Sequence, residues 1–426
     1  MRKGVIVLIL LFGWLSFSAD FDSLLKSAFE HNREIKSAKK EAEASKYLKK
    51  SAQSMYYPQI EADYFKIDYD KVPLILFPIG EQLVEFPISD DNFTQFTLSL
   101  DYLIYDFGGR KSAYKTAKKG FDAAVLKEGL VKRQVALELL ERYLQALNVK
   151  NYITAVTHGL DAVEKHIEAV KEFRKEGLVP KSDLLRLQAL ALNLQSEREK
   201  LKGTLNTLLN DMERITGTKV SAEQLQSLKD IELNVSSLPE KAVLNREEPR
   251  LVEVERDVNK LRAEIEKSLN LPRLVAKVEY SNTTNNLNPV KTNTVFYVGV
   301  KFKLFDGFKN SYRRKNYLKL AEKSETLLSD VKDKIRIQLE NELSVLNSLE
   351  KQYEYVKKAF DASKENYRIV KLQFEEHIVS SVDLKDAIAD LKEAEANYLN
   401  TLEKLKAQKI KILWLSKKIE GETYEK

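Results

Sequence analysis

The sequence predicts a mainly α-helical protein with a minority of β-strands. Long antiparallel coiled-coil helices are joined to short amphipathic strands, and the whole plan is laid out twice. Three observations carry this. Turn residues are scarce, with only 14 Gly and 9 Pro in 426 residues, so elements must be long. Apolar residues recur at alternating steps of three and four over about four heptads, the seam of a coiled coil. A shift of about 200 residues lays that seam on a second copy of itself, the mark of an internal repeat.

In chain order, Arg2 and Lys3 precede an apolar run from Val5 to Leu15, and Ser16-Phe17-Ser18 offers small residues for cleavage. Residues 1–18 are therefore expected to be a secretory signal peptide. The run is too short to span a bilayer as a helix, and no later stretch reaches the length needed. Any membrane passage must then be made by strands. After an early helix, period-two alternation begins at Pro58: Ile60, Ala62 and Tyr64 alternate with Glu61 and Asp63. Phe96, Leu98, Leu100, Tyr102 and Ile104 alternate with Thr97, Ser99 and Asp101. The second copy repeats this with Leu274, Ala276, Val278 and Tyr280, then Phe296, Val298, Val300, Phe302 and Leu304. About ten residues, apolar on one face and polar on the other, is the pattern of a membrane-barrel strand. The alternative is an ordinary sheet packed on the helices; if the strands do span a membrane, four cannot close a barrel, because the smallest has eight, and several chains must share one. Tyr56, Tyr57, Tyr105, Phe107, Phe305 and Phe308 gather at one end of the strands and read as an interfacial girdle. The first loop carries the apolar run Leu74-Ile75-Leu76-Phe77, suited to a partner or to the pore mouth, whereas the second, Ser281 to Asn293, is polar.

Each hairpin is followed by a long helix, a short turn and a helix running back. In the first copy Leu139, Ala146, Val149, Ile153, Val156, Leu160, Ile167 and Val170 form the outgoing seam, and Leu184, Leu187, Ala191 and Leu194 begin the returning one. In the second, Leu339, Leu346, Leu349, Tyr353, Val356, Phe360, Tyr367, Val370 and Phe374 match the outgoing seam, and Leu384, Ala387, Leu391 and Ala394 the return. The turns are Gly177-Leu178-Val179-Pro180 and His377-Ile378-Val379-Ser380, with Ser182 and Ser381 expected as N-caps. A helix from Lys309 to Glu376 would run about 100 Å, longer than an ordinary globular domain. The expected layout is a first repeat over 19–216 (β-hairpin about 59–105, helical hairpin about 111–216) and a linker or equatorial segment over 217–248. A second repeat over 249–416 (β-hairpin about 273–305, helical hairpin about 309–416) and a C-terminal tail over 417–426 follow.

Composition narrows the function. Charged residues make up 31% and alternate in sign, as on solvated helices, while 43% hydrophobic content is enough for a core. A net charge of +6 on 70 basic and 64 acidic residues, with no basic cluster, gives no case for nucleic acid. Absence of Cys removes disulfides, thiolate metal sites and Cys nucleophiles. Gly108-Gly109-Arg110-Lys111-Ser112 lacks the spacing of a phosphate loop and reads as a strand-to-helix turn. His158 and His166 share a helix without ligand-spaced partners and read as surface residues, and His31 stands alone. With no nucleophile–base set and no carboxylate pair of catalytic spacing, the chain is expected to be no enzyme and to hold no cofactor or metal. Asp383 and Asp386 lie three apart in the first turn of a helix, where acidic residues favour the helix dipole.

Several short motifs, weak singly but specific in order and spacing, resemble the TolC family of outer-membrane efflux channels across the mature chain. They are Tyr57-Pro58-Gln59-Ile60, Tyr105-Asp106-Phe107-Gly108-Gly109-Arg110, Leu304-Phe305-Asp306-Gly307, and the tips Gly177 to Leu184 and Val379 to Leu384. The resemblance implies a homotrimer sharing a 12-stranded outer-membrane β-barrel and a periplasmic α-barrel tunnel. It implies a passive duct for efflux or type I secretion, working with a periplasmic adaptor and an inner-membrane transporter. It makes Asp383 and Asp386 a cation-attracting ring at the periplasmic entrance, and Gly177, Leu178, Val179, Ile378 and Ser380 the tips that meet the adaptor. In the family a Tyr and an Arg of the inner helical pair bond an Asp of the neighbouring outer pair. Here the Asp is Asp183, but Phe374 stands for the Tyr, Val379 for the Arg, and His377 for the usual Gly. The expectation is that Phe374 and Val379 hold the tip by packing; the alternative is a substitute polar pair such as His377 with Asp183. The rival reading is a soluble periplasmic coiled-coil adaptor or scaffold, which would need no lipid-facing strands; a secreted hydrolase is left without an active-site constellation.

Overall fold

A computed structural model describes residues 20–233 and 238–416 of the chain. The expected signal peptide and C-terminal tail lie outside those residues. The elements are α1 (Phe21–His31), α2 (Arg33–Ser54), β1 (Gln59–Asp68), β2 (Leu74–Ile79), β3 (Gln82–Pro87), β4 (Asn92–Tyr105), α3 (Gly109–Lys175) and α4 (Lys181–Thr216). After a 3-10 turn at Ala222–Gln224 come α5 (Leu238–Asn245), α6 (Glu247–Ser268), β5 (Arg273–Thr283), β6 (Thr292–Lys301), α7 (Lys309–Glu375) and α8 (Ser381–Ser416). The halves match in length: α3 and α7 have 67 residues each, α4 and α8 have 36 each, and α2 and α6 have 22 each. No helix among the described residues is long and apolar enough to cross a membrane. Two compact units form, and α3 and α7 each contribute to both.

One unit holds residues 39–127 and 248–331. Its four-stranded antiparallel sheet has the order β1-β4-β5-β6. The register sets Ile60, Leu100, Val278 and Phe296 in one row, and Gln59, Asp101, Lys277 and Tyr297 in the next. The alternation seen along each strand thus becomes two faces, one apolar and one largely polar. The apolar face is open: Phe296 is 74% exposed and Val298 75%. Phe302 and Leu304, expected in the last strand, lie beyond it. β6 ends at Lys301 because its partner β5 begins opposite, at Arg273, so later residues have no ladder to join. β4 runs on to Tyr105 through a bulge between Leu103 and Tyr105. The bulge carbonyl of Ile104 accepts from Arg110 Nη2 at 3.0 Å. Asp106 Oδ2 accepts from Arg110 N at 2.6 Å, and Asp306 Oδ2 from Asn310 N at 3.1 Å, so equivalent aspartates start α3 and α7. Gly108-Gly109-Arg110 is therefore a strand-to-helix turn. Tyr56, Tyr57, Tyr105, Phe107, Phe305 and Phe308 are all exposed. The first loop also forms a second sheet, the hairpin β2–β3, which the sequence pattern did not separate from loop.

The other unit holds α1, α4, α5, α8 and the tip-proximal parts of α3 and α7. Asp20 caps α1 by accepting from Ser23 N at 3.0 Å. Asn32 then breaks the early helix in two, its Oδ1 accepting from Glu34 N at 2.9 Å to start α2. Leu139, Tyr143, Met212, Ile215 and Ile410 are buried in one core cluster with Phe21 and Trp414, whose rings stack at 5.9 Å. The segment after Gly217 closes this core. Tyr143 donates to Gln226 O at 2.8 Å and accepts from its N at 3.0 Å, and burial pushes that hydroxyl up to about 12. Glu403, 5% exposed, accepts from Leu228 N at 2.9 Å. On α8 the buried set includes Ile388, Ala396, Ala407 and Ile410 besides the expected Leu384 and Ala387, because this helix has neighbours on two sides.

Candidate functional site

The two helical tips differ by one residue that matters for their shape. Gly177 ends α3 at φ +78°, and His377 ends α7 at φ +60°. Both close a Schellman turn: Leu178 N donates to Phe173 O at 2.9 Å, and Ile378 N to Gln373 O at 2.8 Å. Histidine in the left-handed region is strained where glycine is not. It stays because its ring stands edge-on to Phe173 at 4.5 Å. Within this chain His377 meets Phe173 and Asp183 meets Ser381. Leu178 and Ile378, the residues after each turn, point outward at 54% and 71% exposure. Val179 and Val379 turn in and pack on the core cluster beneath.

That cluster unites all four tip helices. Val163 and Val170 come from α3, Leu184 and Leu187 from α4, Phe374 from α7, and Leu384 and Ile388 from α8. Phe374 is 4% exposed and meets the His166 ring edge-on at 5.9 Å. His166 is itself only 4% exposed, so it is a core residue and not the surface residue expected from spacing. Its Nε2 lies 3.2 Å from the Tyr367 hydroxyl. Burial, reinforced by Lys371 and opposed by Glu375, pushes its pKa below the usual histidine value. His158 is exposed and lies 3.0 Å from Glu395, a partner on α8 that helical spacing along α3 could not reveal.

Asp183 has a partner within its own chain. Ser381 Oγ donates to Asp183 Oδ1 at 2.9 Å, Arg186 Nη1 donates to Ser381 Oγ at 3.2 Å, and Arg186 lies 3.6 Å from Asp183. Ser381 is fully buried. This three-residue link joins α4 to α8 without the Tyr or Arg that the sequence lacks. Ser381 was expected to cap α8; instead it is the first helical residue, and Ser380 caps. Ser380 Oγ accepts from Val382 N at 3.2 Å, while Asp383 Oδ2 accepts from Ser380 N at 2.9 Å and from its hydroxyl at 2.7 Å, a capping box. Those two bonds hold the Asp383 carboxyl below the usual range. Ser182 likewise lies inside α4, whose N-cap is Pro180 with no side-chain cap bond. Asp386 is exposed, with Lys385 at 3.4 Å. Asp383 and Asp386 share one open face of α8 with Asp390, three and seven residues along.

Residues 24–218 match the family model of the outer membrane efflux protein. That segment, somewhat under half of the chain, is what resembles the outer membrane efflux protein family. A comparison with curated proteins finds no match. Among solved structures, the chain is similar to the outer membrane protein VceC of Vibrio cholerae, at TM-score 0.75 and 11% identity, over 94% of this chain and 97% of that one. It is similar to the CmeC outer membrane channel of Campylobacter jejuni, at TM-score 0.75 and 13% identity, over 93% and 85%. It is also similar to the open state of the MtrE outer membrane channel of Neisseria gonorrhoeae, at 0.73 and 14%, over 93% and 88%. At such identities the shared property is the fold, and it spans nearly the whole length of these channels.

Proposed function

We propose that this protein is the outer-membrane exit duct of a tripartite efflux or type I secretion system. It works as a homotrimer and as a passive channel with no chemistry of its own. The observation that carries the reading is the sheet. Its apolar face is uncovered, and its edge strands β1 and β6 each have a single neighbour among the described residues. Lipid satisfies the face, and two further copies satisfy the edges by closing a 12-stranded barrel. A soluble coiled-coil adaptor would leave the Phe296–Val298–Val300 face in water. The equal helix lengths support a tandem duplication, with repeats near 19–216 and 249–416. In the trimer Asp383 and Asp386 ring the entrance, and mutual repulsion works against the capping bonds that favour the charged Asp383. The exposed Leu178 and Ile378 suit contact with a periplasmic adaptor, and through it with an inner-membrane transporter. Membrane fractionation followed by planar-bilayer recording tests the reading. Outer-membrane location, a trimeric mass in detergent and ohmic channels are expected; a soluble, non-conducting monomer overturns it.

A further inference from the structure

Both faces of the hairpin β2–β3 are apolar. Its register runs from Leu74 opposite Pro87 to Ile79 opposite Gln82. Opposed residues point the same way, so Ile75, Phe77 and Phe86 share one face, and Leu74, Leu76 and Leu83 the other. All six are 44% to 68% exposed. An antiparallel ribbon in water ordinarily keeps one polar face. Here Gln82 and Glu85 are the only polar residues of the two strands. Clustered exposed apolar side chains of this kind mark an interaction surface, whereas single scattered ones do not.

The hairpin is held in place. Gly80, at φ +64°, opens its two-residue turn. At the foot, Ile88 N donates to Pro73 O at 3.1 Å. The other loop clasps the same point: Asn285, 8% exposed, donates to Ser89 Oγ at 2.9 Å and accepts from Asp90 N at 3.0 Å. Asn286 N also donates to the Asp90 carboxylate.

Lipid does not suit this surface. A two-stranded ribbon has an open backbone row along each outer edge, and such rows are not tolerated in hydrocarbon. Symmetry favours copies of the same chain. In a ring, each subunit meets its two neighbours through two different surfaces, and a ribbon apolar on both faces supplies both. The hairpin also grows directly from β1, the edge strand that a neighbouring copy must pair in the shared barrel.

We propose that the hairpins of three copies pack face on face into an apolar ring that narrows the channel at the loop end of the strands. This rests on the trimeric-duct reading. The chain has no Cys, so introduced thiols report cleanly. The full-length double variant Leu76→Cys/Phe77→Cys, treated in membranes with a short flexible bis-maleimide, is expected to give a covalent trimer on a denaturing gel. Leu76→Cys alone is expected to give at most a dimer. The untreated wild type is sized in detergent alongside. A monomer there overturns the duct reading and this inference together. A native trimer whose double variant stays uncrosslinked overturns the inference alone. Quenching of Phe77→Trp fluorescence by brominated phospholipid would assign the surface to lipid and also overturn it. Replacing residues 74–87 by a Gly-Ser linker is expected to raise single-channel conductance at least twofold, and unchanged conductance would refute the narrowing.

Discussion

Asp183→Ala tests the tip link most directly. The substitution removes the acceptor of the buried Ser381 hydroxyl, which is the larger loss. A buried donor left without a partner costs about 1–3 kcal/mol. Arg186 adds little: its side chain is 43% exposed and 3.6 Å away, so the ion pair contributes about 0–1 kcal/mol after screening. A loss of about 2 kcal/mol corresponds to about thirtyfold in the closed-to-open ratio of the tip. Asp183→Asn keeps a carbonyl oxygen for Ser381 and removes only the charge, so it should cost under about 1 kcal/mol. Hydrogen exchange by mass spectrometry over residues 179–187 and 378–388 reads both variants. Protection should fall about thirtyfold in Asp183→Ala and less than about fivefold in Asp183→Asn. Wild-type protection in Asp183→Ala would refute the link, and equal effects of the two variants would transfer the stabilisation to the ion pair. The sequence alone offered only His377 as a partner for this carboxylate, and the Ser381 hydroxyl became visible only in the fold.

Phe374→Ala should loosen the same tip by about 3 kcal/mol, as large-to-small changes in a packed core do, and raise open probability in bilayer recordings. Tip stability should fall as pH drops below about 6.5 towards the lowered pKa of His166, because the unfolded ring binds its proton first. The protection of residues 163–170 should follow that fall, and His166→Gln should flatten it. Val298→Arg should impair membrane assembly at a cost of about 2–4 kcal/mol per strand, whereas Asn293→Arg on the opposite face should assemble; the reverse outcome in a heat-modifiability gel would show the faces exchanged. Asp383→Ala with Asp386→Ala should weaken cation selectivity and block by multivalent cations in reversal-potential measurements, and unchanged values would leave Asp383 as a helix cap alone.

Long elements were legible because their signals are local. Steps of three and four from Leu139 to Val170 and from Leu339 to Phe374 specify helices whatever surrounds them, and alternation from Phe96 to Ile104 specifies a strand. Their register was less legible. β6 stops at Lys301 although alternation continues to Leu304, since a strand lasts only as long as its ladder. Hairpin β2–β3 was hidden because its two-sided apolar run lacks the alternation that marks a strand in water.

The sequence by itself determined the long helices of both copies, which face of each of the four long strands is apolar, and where the two tip turns fall. Heptad spacing, period two and the scarcity of Gly and Pro act within a few residues of chain. Only the tertiary structure decided who meets whom. It buried His166 under Phe374, gave Asp183 the hydroxyl of Ser381, 198 residues away, and set His377 against Phe173. Such pairings depend on how four helices stack at one tip, and periodicity along a single helix carries no information about its neighbour's rotation or height.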